Sequence, residues 1–301
     1  MSKVTSLGEA VARLVPDGAS VALGTALEPA IPFAVVHELI RQGTRDLRLI
    51  GPISDIAFDQ LIGAGCVARV TSAWVGNVSA GLAHAYRRAM EQGIPRRIAV
   101  EDHSNFTIAQ ALLAGAIGAP FIPTRTLLGS DIARANGTFK ESASPFDGSP
   151  LLLVPAITPD LTVLAVQRAD EEGNAHLWGP WGVSQEAALA ATAVLVIADE
   201  IVPRSVIASD PNRTIVPAWK VAAVVGQRGA CHPSPLQGRY RRDHDFYHAY
   251  HAATRTVLGF EAWIREWVTG LPDRDAYLAK LGERWPVLRE DGGPAAAEAR
   301  F

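Results

Sequence analysis

The sequence predicts an α/β protein with an open parallel sheet and helices on both faces. Short apolar runs alternate with segments of helical periodicity over the first 120 residues. Strands that alternate with helices form parallel sheets, because each helix carries the chain back to the same edge. One of the runs, AVLVIA at 193–198, is apolar throughout. That pattern is typical of a strand that is buried on both faces.

Turn and cap residues set the bounds of the predicted elements. Ser6 can cap the first helix, and Gly43 follows the end of the second. The predicted strands are 20–24, 47–50, 67–71, 97–100, 151–154, 161–167, 193–198 and 221–225. The predicted helices are 7–14, 32–42, 80–92 and 106–116. Residues 136–150 are rich in turn formers, which predicts a long surface loop.

The last part of the chain has a different pattern. After Asp243 it is charged, aromatic and helical in periodicity, including 260–268 and 273–281. We therefore predict a main domain at 1–245 and a helical C-terminal extension with a tail at 246–301. The last eleven residues, DGGPAAAEARF, predict a frayed tail.

Composition excludes several classes of partner. The net charge of −3 gives no electrostatic reason to expect binding to nucleic acid or to an anionic membrane. The chain begins without the apolar stretch of a signal peptide, and no run reaches the roughly 18 to 20 apolar residues that span a bilayer. Its two cysteines, Cys66 and Cys231, lie far apart and outside any CxxC pattern. We expect a cytoplasmic protein with reduced thiols.

Common catalytic and cofactor motifs are missing from the sequence. It has neither a GxGxxG after the first strand nor a GxxxxGK[ST], so the usual phosphate cradles are absent. It also lacks a GxSxG, an HExxH and an SxxK. His244, His248 and His251 could share a helix face, but their neighbours are rich in arginine and tyrosine. We therefore expect neither a metal site nor a permanently bound cofactor.

The first candidate site is the polar cluster Glu101-Asp102-His103-Ser104-Asn105. It lies where a predicted strand ends and a helix begins, and parallel sheets bind ligands at the carboxyl ends of their strands. Two adjacent carboxylates beside a histidine can shift each other's pKa values and act as acid or base. Alternatively, Asp102, Ser104 or Asn105 simply caps the helix that follows. The pattern leaves both interpretations open.

The second candidate site follows a short apolar run bounded by prolines, Pro120 to Pro123, which predicts a rigid turn at a sheet edge. Gly129 and Ser130 could offer backbone N–H groups to an anion. Arg125 could pair with a phosphate or a carboxylate. A structural turn with a surface arginine would give the same sequence.

Taken together, these segments resemble the α subunit of family I CoA-transferases of the glutaconate CoA-transferase type. The resemblance covers about residues 7 to 246 and rests on the order and spacing of several short stretches. They are RDL at 45–47, LIGAG at 61–65, TSAWVGN at 71–77, PFIPTR at 120–125, LGSD at 128–131, ADEEGN at 169–174, ADEIV at 198–202 and CHPS at 231–234.

The resemblance implies an open parallel sheet and a related β subunit, with the active site between the two chains. Coenzyme A is then a substrate, exchanged between an acyl-CoA and a carboxylic acid. It also implies that the nucleophile is a glutamate of the β subunit, which attacks the thioester and becomes a glutamyl-CoA thioester. We expect an αβ or α2β2 assembly, in which this chain supplies supporting groups and half of the pocket wall.

Two departures from the family pattern bear on the function. The family's Gly-Gly-aromatic turn is replaced here by Gly24-Thr25-Ala26. Backbone N–H groups of Gly24 and Thr25 could still hold an oxyanion, since that task needs donors and no particular side chain. Some relatives are hydrolases that open a ring in CoA-linked steroid intermediates, with a working acid on the α subunit. Either Glu101 or Asp102 matches that position.

We also hypothesise roles for the remaining candidates. Ser104 and Asn105 would position the acyl group, while Arg125, Gly129 and Ser130 would lie near the substrate's carboxylate or the CoA arm. Three hypotheses follow for the chain. It is the α subunit of a CoA-transferase, the α subunit of a ring-opening CoA-thioester hydrolase, or a non-enzymatic metabolite-binding member of the fold.

Overall fold

The computed structural model describes residues 2–289, and its main sheet contains seven parallel strands within that range. Across the sheet these strands are β12 (Val221–Gly226), β10 (Ala193–Ile201), β8 (Leu161–Ala169), β1 (Ser20–Ala22), β2 (Leu47–Ile53), β3 (Val67–Trp74) and β4 (Ala99–Asp102). The predicted parallel α/β architecture is therefore confirmed.

Five further strands lie within residues 2–289. The strands β9 (Ala175–His176) and β11 (Thr214–Val216) add an antiparallel pair to the carboxyl half of β8. A separate antiparallel sheet has the order β5 (Phe121–Thr124), β7 (Pro150–Pro155) and β6 (Lys140–Ala143). Two predictions are therefore wrong in part. The proline-bounded run is a strand rather than a turn, and the predicted surface loop contains β6.

The helices begin and end close to the predicted positions where caps are present. Ser6 accepts a hydrogen bond from the N–H of Glu9, whose carboxylate accepts one from the N–H of Ser6, which closes a capping box. The helices are α1 (Leu7–Leu14), α2 (Phe33–Gln42), α3 (Asp55–Gly63), α4 (His84–Gln92), α5 (Asn105–Ile117), α6 (Asp131–Ala135), α7 (Ser184–Ala190), α8 (Arg204–Ala208), α9 (His244–Ala253), α10 (Val257–Ile264), α11 (Arg274–Leu281) and α12 (Arg284–Leu288).

The C-terminal helices confirm a helical extension as far as residue 289, while the predicted tail lies outside the described residues. Between residues 2 and 289 no helix combines the length and the apolar character needed to cross a membrane.

Helices cover both faces of the main sheet. On one face Val21, Leu49 and Val70 join a large apolar core with α1 to α4 and the C-terminal helices. On the other face Ala22 and Ile50 pack against α5 and α7. This alternation is the period-two pattern of strands that are buried on both sides.

The strand order places a topological switch point at β1. From β1 the chain builds outward through β2, β3 and β4, and then returns to lay β8 along the other side of β1. It continues outward from β8 through β10 to β12. Open α/β sheets bind ligands outside the carboxyl ends of the strands at such a reversal. The loop after β1 is therefore the first place to look for a site.

Candidate active site

The turn that follows β1 has a strained and closely packed backbone. Gly24 has a φ of +66°, and Leu27 and Ala30 further along the same loop have φ values of +73° and +54°. A Cβ on Gly24 would lie 2.6 Å from Oγ of Ser54, which itself donates to the carbonyl of Leu23. Left-handed non-glycine residues cost free energy and tend to cluster at functional sites.

The same turn has backbone donors that the fold does not use. The carbonyls are engaged, since Thr25 O accepts from Val183 N at 2.8 Å and Gly24 O from Leu27 N at 3.3 Å. Within residues 2–289, the N–H groups of Gly24, Thr25 and Ala26 donate to no acceptor. All three residues are buried, and buried N–H groups are rarely left unpaired. Three successive free donors are suited to binding an oxyanion.

Glu101 lies at the end of β4, on the edge of the sheet. Its carboxylate accepts a hydrogen bond from Thr138 Oγ1 at 3.1 Å and lies 3.5 Å from Nε2 of His103. Arg69 is 3.7 Å away. The contact with His103 is the main reason that the pKa of Glu101 is lowered below its usual range. Glu101 is therefore a carboxylate near neutral pH, suited to act as a base or an orienting anion.

Strand register relates Glu101 to the turn. Ala22, Ile50, Thr71 and Glu101 are paired in one row across β1 to β4. Three inter-strand spacings separate the ends of the row by about 14 Å. Gly24 is two residues beyond Ala22, so the turn and Glu101 share the carboxyl edge of the sheet. They are too far apart to contact the same atom.

Asp102 has different surroundings from Glu101. Its side chain is exposed, and its backbone carbonyl accepts a hydrogen bond from Asn136 at 2.8 Å. Side chains alternate along a strand, so the two adjacent acids point to opposite faces of the sheet. Glu101 is directed toward the residues after α6, where Thr138 lies, and is the better enclosed of the two.

Ser104 and Asn105 begin α5. Ser104 caps the helix, because its Oγ accepts from the N–H of Thr107 at 3.1 Å and the Thr107 hydroxyl accepts from the N–H of Ser104. Asn105 is exposed at the first position of the helix. The capping alternative therefore accounts for Ser104, and the structure gives the Asn105 side chain no polar partner within residues 2–289.

Arg125, Gly129 and Ser130 lie together beyond β5. Arg125 is largely exposed, donates to Ser149 Oγ at 2.9 Å and lies 3.6 Å from Asp147. Ser130 caps α6 through the N–H of Ala133, and Gly129 has a left-handed φ of +77°. The five-residue helix α6 then leads to Asn136. The second candidate site is therefore joined to Glu101 through the chain that follows α6.

Asn136 and Thr138 were not singled out by pattern, and His103 was noted only as a member of the polar cluster. Asn136 is buried and bonds both the carbonyl of Asp102 and the N–H of Thr138. His103 is buried against Phe139, with ring centroids 5.1 Å apart, and its Nδ1 has no partner within residues 2–289. These contacts join segments more than 30 residues apart, so local sequence spacing cannot predict them. Only the polar cluster at the end of β4 pointed to this region.

The cysteines are not part of the site. Both thiols are free and buried, and burial raises the pKa of Cys66 to about 11 and that of Cys231 to about 12. Such thiols are poor nucleophiles near neutral pH, because the thiolate is the reactive form. Nor does any group of three potential metal ligands occur among residues 2–289.

Comparison with known proteins points to one family. A family model described as coenzyme A transferase matches residues 4–227. The A-type subunit of a 3-oxoadipate CoA-transferase from Pseudomonas knackmussii is 41% identical over 283 residues, which cover 94% of this chain and 99% of that protein.

Two further proteins are similar to the chain over most of its length. The crystal structure of glutaconate CoA-transferase from Acidaminococcus fermentans superposes with a TM-score of 0.89 and 30% identity, covering 96% of each chain. A cholesterol ring-cleaving hydrolase IpdA subunit from Rhodococcus jostii is 26% identical, over 90% of this chain and 93% of that protein.

Proposed function

The chain belongs to the coenzyme A transferase family, and from this premise we propose that it is the α subunit of a two-subunit CoA-transferase whose acids are dicarboxylic. The similarity to CoA-transferase subunits of this type extends along nearly its whole length. The dicarboxylic class is inferred from two similar proteins, whose names specify 3-oxoadipate and glutaconate. We expect the protein to lie in the cytoplasm. We expect it to assemble as an αβ pair or as a dimer of such pairs.

The observation that carries the proposal is the set of three unpaired N–H groups at the switch point. When a carboxylate attacks a thioester carbonyl, the carbonyl oxygen becomes an oxyanion. Preorganised donors at that position stabilise the transition state more than the ground state. Loss of a single such donor in other acyl-transfer enzymes costs about 100- to 1000-fold in rate. Gly24, Thr25 and Ala26 provide donors without relying on flexible side chains.

The attacking carboxylate is expected from the β subunit. Asp55 is next in sequence to Ser54, which contacts Gly24, but it is fully buried and paired with Arg242. It is therefore not free to attack a thioester. In the proposed reaction the partner's glutamate forms a bond to the acyl carbon and the carbon–sulfur bond breaks. The released CoA thiolate then attacks the glutamyl carbonyl, giving a glutamyl-CoA thioester and the free acid.

We assign the remaining candidates supporting roles. Glu101 is an anionic orienting group or base at the edge of the pocket, and Asp102 is the alternative acid. Arg125, with Gly129 and Ser130, faces the distal carboxylate of the acid or the CoA arm. Ser104 and Asn105 hold the start of α5 beside the acyl group.

A ring-opening hydrolase is the second candidate function. Its support is the environment of Glu101, which is ionised, only 17% exposed and held by Thr138 and His103. A carboxylate that is this well held can act as a base on a substrate without any glutamate from the partner. The similarity to a ring-cleaving hydrolase subunit is consistent with this, at 26% identity.

The deciding experiment is a CoA-exchange and CoA-release assay on the chain co-expressed with a β subunit of the same family. Donors would be succinyl-CoA, glutaconyl-CoA and acetyl-CoA, with 3-oxoadipate, glutaconate and acetate as acceptors. Exchange that requires a dicarboxylic acceptor supports the proposal. Release of free CoA without an acceptor favours the hydrolase. Equal rates with acetate would show that the dicarboxylic assignment is wrong.

A further inference from the structure

One segment, residues 230–250, forms polar contacts with the loops that follow β1, β2 and β3. We call this segment the clasp. The clasp lies beyond the part of the chain that the family model matches. Its first part holds the loop after β1. Ala30 N donates to Pro235 O at 2.9 Å, and Ser234 Oγ donates to Glu28 O at 2.7 Å. Hydrogen bonds at Glu28 and Ala30 thus hold the backbone that follows Gly24.

The second part of the clasp holds the loops after β2 and β3. Arg242 forms a buried ion pair with Asp55, directly after β2, and its Nε donates to Ser79 Oγ at 3.1 Å, in the loop after β3. Asn77, in that same loop, donates to the carbonyl of Tyr247 at 3.0 Å. Arg242 therefore forms polar contacts with both loops.

Placing Asp55 at this position costs conformational and desolvation free energy. Its side chain is fully buried and its backbone has a left-handed φ of +50°. Burial raises the pKa of its carboxyl group, and the Arg242 guanidinium opposes that change. A buried carboxylate and a left-handed non-glycine backbone persist only where surrounding contacts enforce them. The Asp55 carboxylate accepts from the N–H groups of Val78 at 3.1 Å and Ile56 at 3.0 Å, and it pairs with the guanidinium of Arg242.

Asp55 is coupled to the turn through its neighbour in sequence. Ser54 is buried, and its Oγ donates to the carbonyl of Leu23 at 3.0 Å, immediately before Gly24. The Cα and Cβ of Ser54 also limit the space beside Gly24. A change in the backbone of Asp55 would move Ser54 directly, and Ser54 would move the turn.

We propose that Arg242 is a positioning residue, which sets the direction of the Gly24–Ala26 N–H groups by holding Asp55 in its strained conformation. Arg242 is itself held, since its guanidinium lies 3.9 Å from the ring centroid of Tyr247 and its side chain is only 10% exposed. The inference rests on the proposed function, because it gives those N–H groups a role in transfer.

The test compares three variants of the full αβ enzyme. Arg242→Met removes the guanidinium, and Arg241→Met is the matched control, because Arg241 is exposed and its side chain donates to Val287 O. We expect kcat for CoA transfer to fall about 10- to 100-fold in Arg242→Met, because a misplacement of about 1 Å in an active site can cost about 100-fold in rate. KM for the acyl-CoA should stay within about twofold. Arg241→Met should match the wild type in both constants.

The third variant, Asp55→Asn with Arg242→Met, separates positioning from simple stability. Breaking one side of a buried ion pair leaves an uncompensated charge, whereas removing both charges is often nearly neutral. The double variant should therefore regain the thermal stability that Arg242→Met loses, while its kcat remains low. Recovery of kcat together with stability would overturn the proposal. If Arg242→Met fails to fold, the kcat of the double variant still tests the proposal.

Hydrogen exchange followed by mass spectrometry gives a readout that does not depend on activity. Amides of residues 24–30 and 54–56 should exchange faster in Arg242→Met than in Arg241→Met. Equal exchange in the two variants would overturn the coupling. A wild-type enzyme that transfers no CoA, but shows this difference in exchange, would refute the proposed function and leave the positioning by Arg242 supported.

Discussion

Replacing Gly24 with alanine tests how closely the turn after β1 is packed. Two costs add at this position. A Cβ-bearing residue at a φ of +66° loses about 1 to 2 kcal/mol relative to glycine. The new Cβ would also lie 2.6 Å from Ser54 Oγ and 3.1 Å from the Cα of Ser54, and overpacking of this kind costs about 1 to 3 kcal/mol. We expect Gly24→Ala to lose about 2 to 5 kcal/mol of unfolding free energy.

Gly43 provides the control for this substitution. Its φ of +67° is nearly the same, but a Cβ there would meet no atom within 4 Å. Gly43→Ala should therefore lose about 1 to 2 kcal/mol from the backbone alone. Urea unfolding of both variants, followed by tryptophan fluorescence, measures the difference. Equal losses would show that Ser54 moves aside without cost, and the account of a rigid turn would be wrong.

Two further predictions concern ionisable groups. Glu101→Gln should fold normally and lower kcat by about 100-fold or more if Glu101 acts as a base; a loss confined to Asp102→Asn would instead identify Asp102 as the functional residue. Burial lowers the pKa of His232 to about 4, despite its hydrogen bond to Asp243. Because the unfolded chain binds this proton below about pH 6.5 and the folded chain does not, His232 alone should lower stability by about 2 kcal/mol between pH 7 and pH 5. Urea unfolding at both pH values measures the loss, which His232→Gln should diminish.

The elements that sequence alone predicted are those with local signals. The first helix begins after Ser6 because that residue and Glu9 cap each other, and Gly43 ends the second helix in a left-handed conformation. The helix α3 was absent from the predicted elements for a physical reason. Eight of its nine residues are buried, acids included, so no polar face marks its period. Tertiary contacts, not local pattern, define that helix.

In the antiparallel sheet the sequence predicted β7, as a strand at 151–154, but neither β5 nor β6. All four residues of β6 are exposed, so β6 lacks the alternation that marks a half-buried strand. Its position depends on pairing with β7 and on Asn136, which bonds the carbonyl of Asp102. The candidate site was predictable only in part for the same reason. Glu101 lies at the end of a strand and Gly24 just after one, whereas Thr138 contacts Glu101, and Arg242 contacts Asp55, from distant parts of the chain.

The changed turn after β1 is compatible with transfer chemistry on structural grounds. Where the family pattern has a second glycine and an aromatic residue, this chain has Thr25 and Ala26. Thr25 directs its hydroxyl to Ser184 Oγ at 2.8 Å, and Ala26 packs in an apolar cluster with Cys231 and Tyr240. Both side chains are thereby accommodated within the fold, and neither takes an N–H group of the turn. Since an oxyanion requires donors and no particular side chain, the substitution preserves the feature on which the proposed function depends.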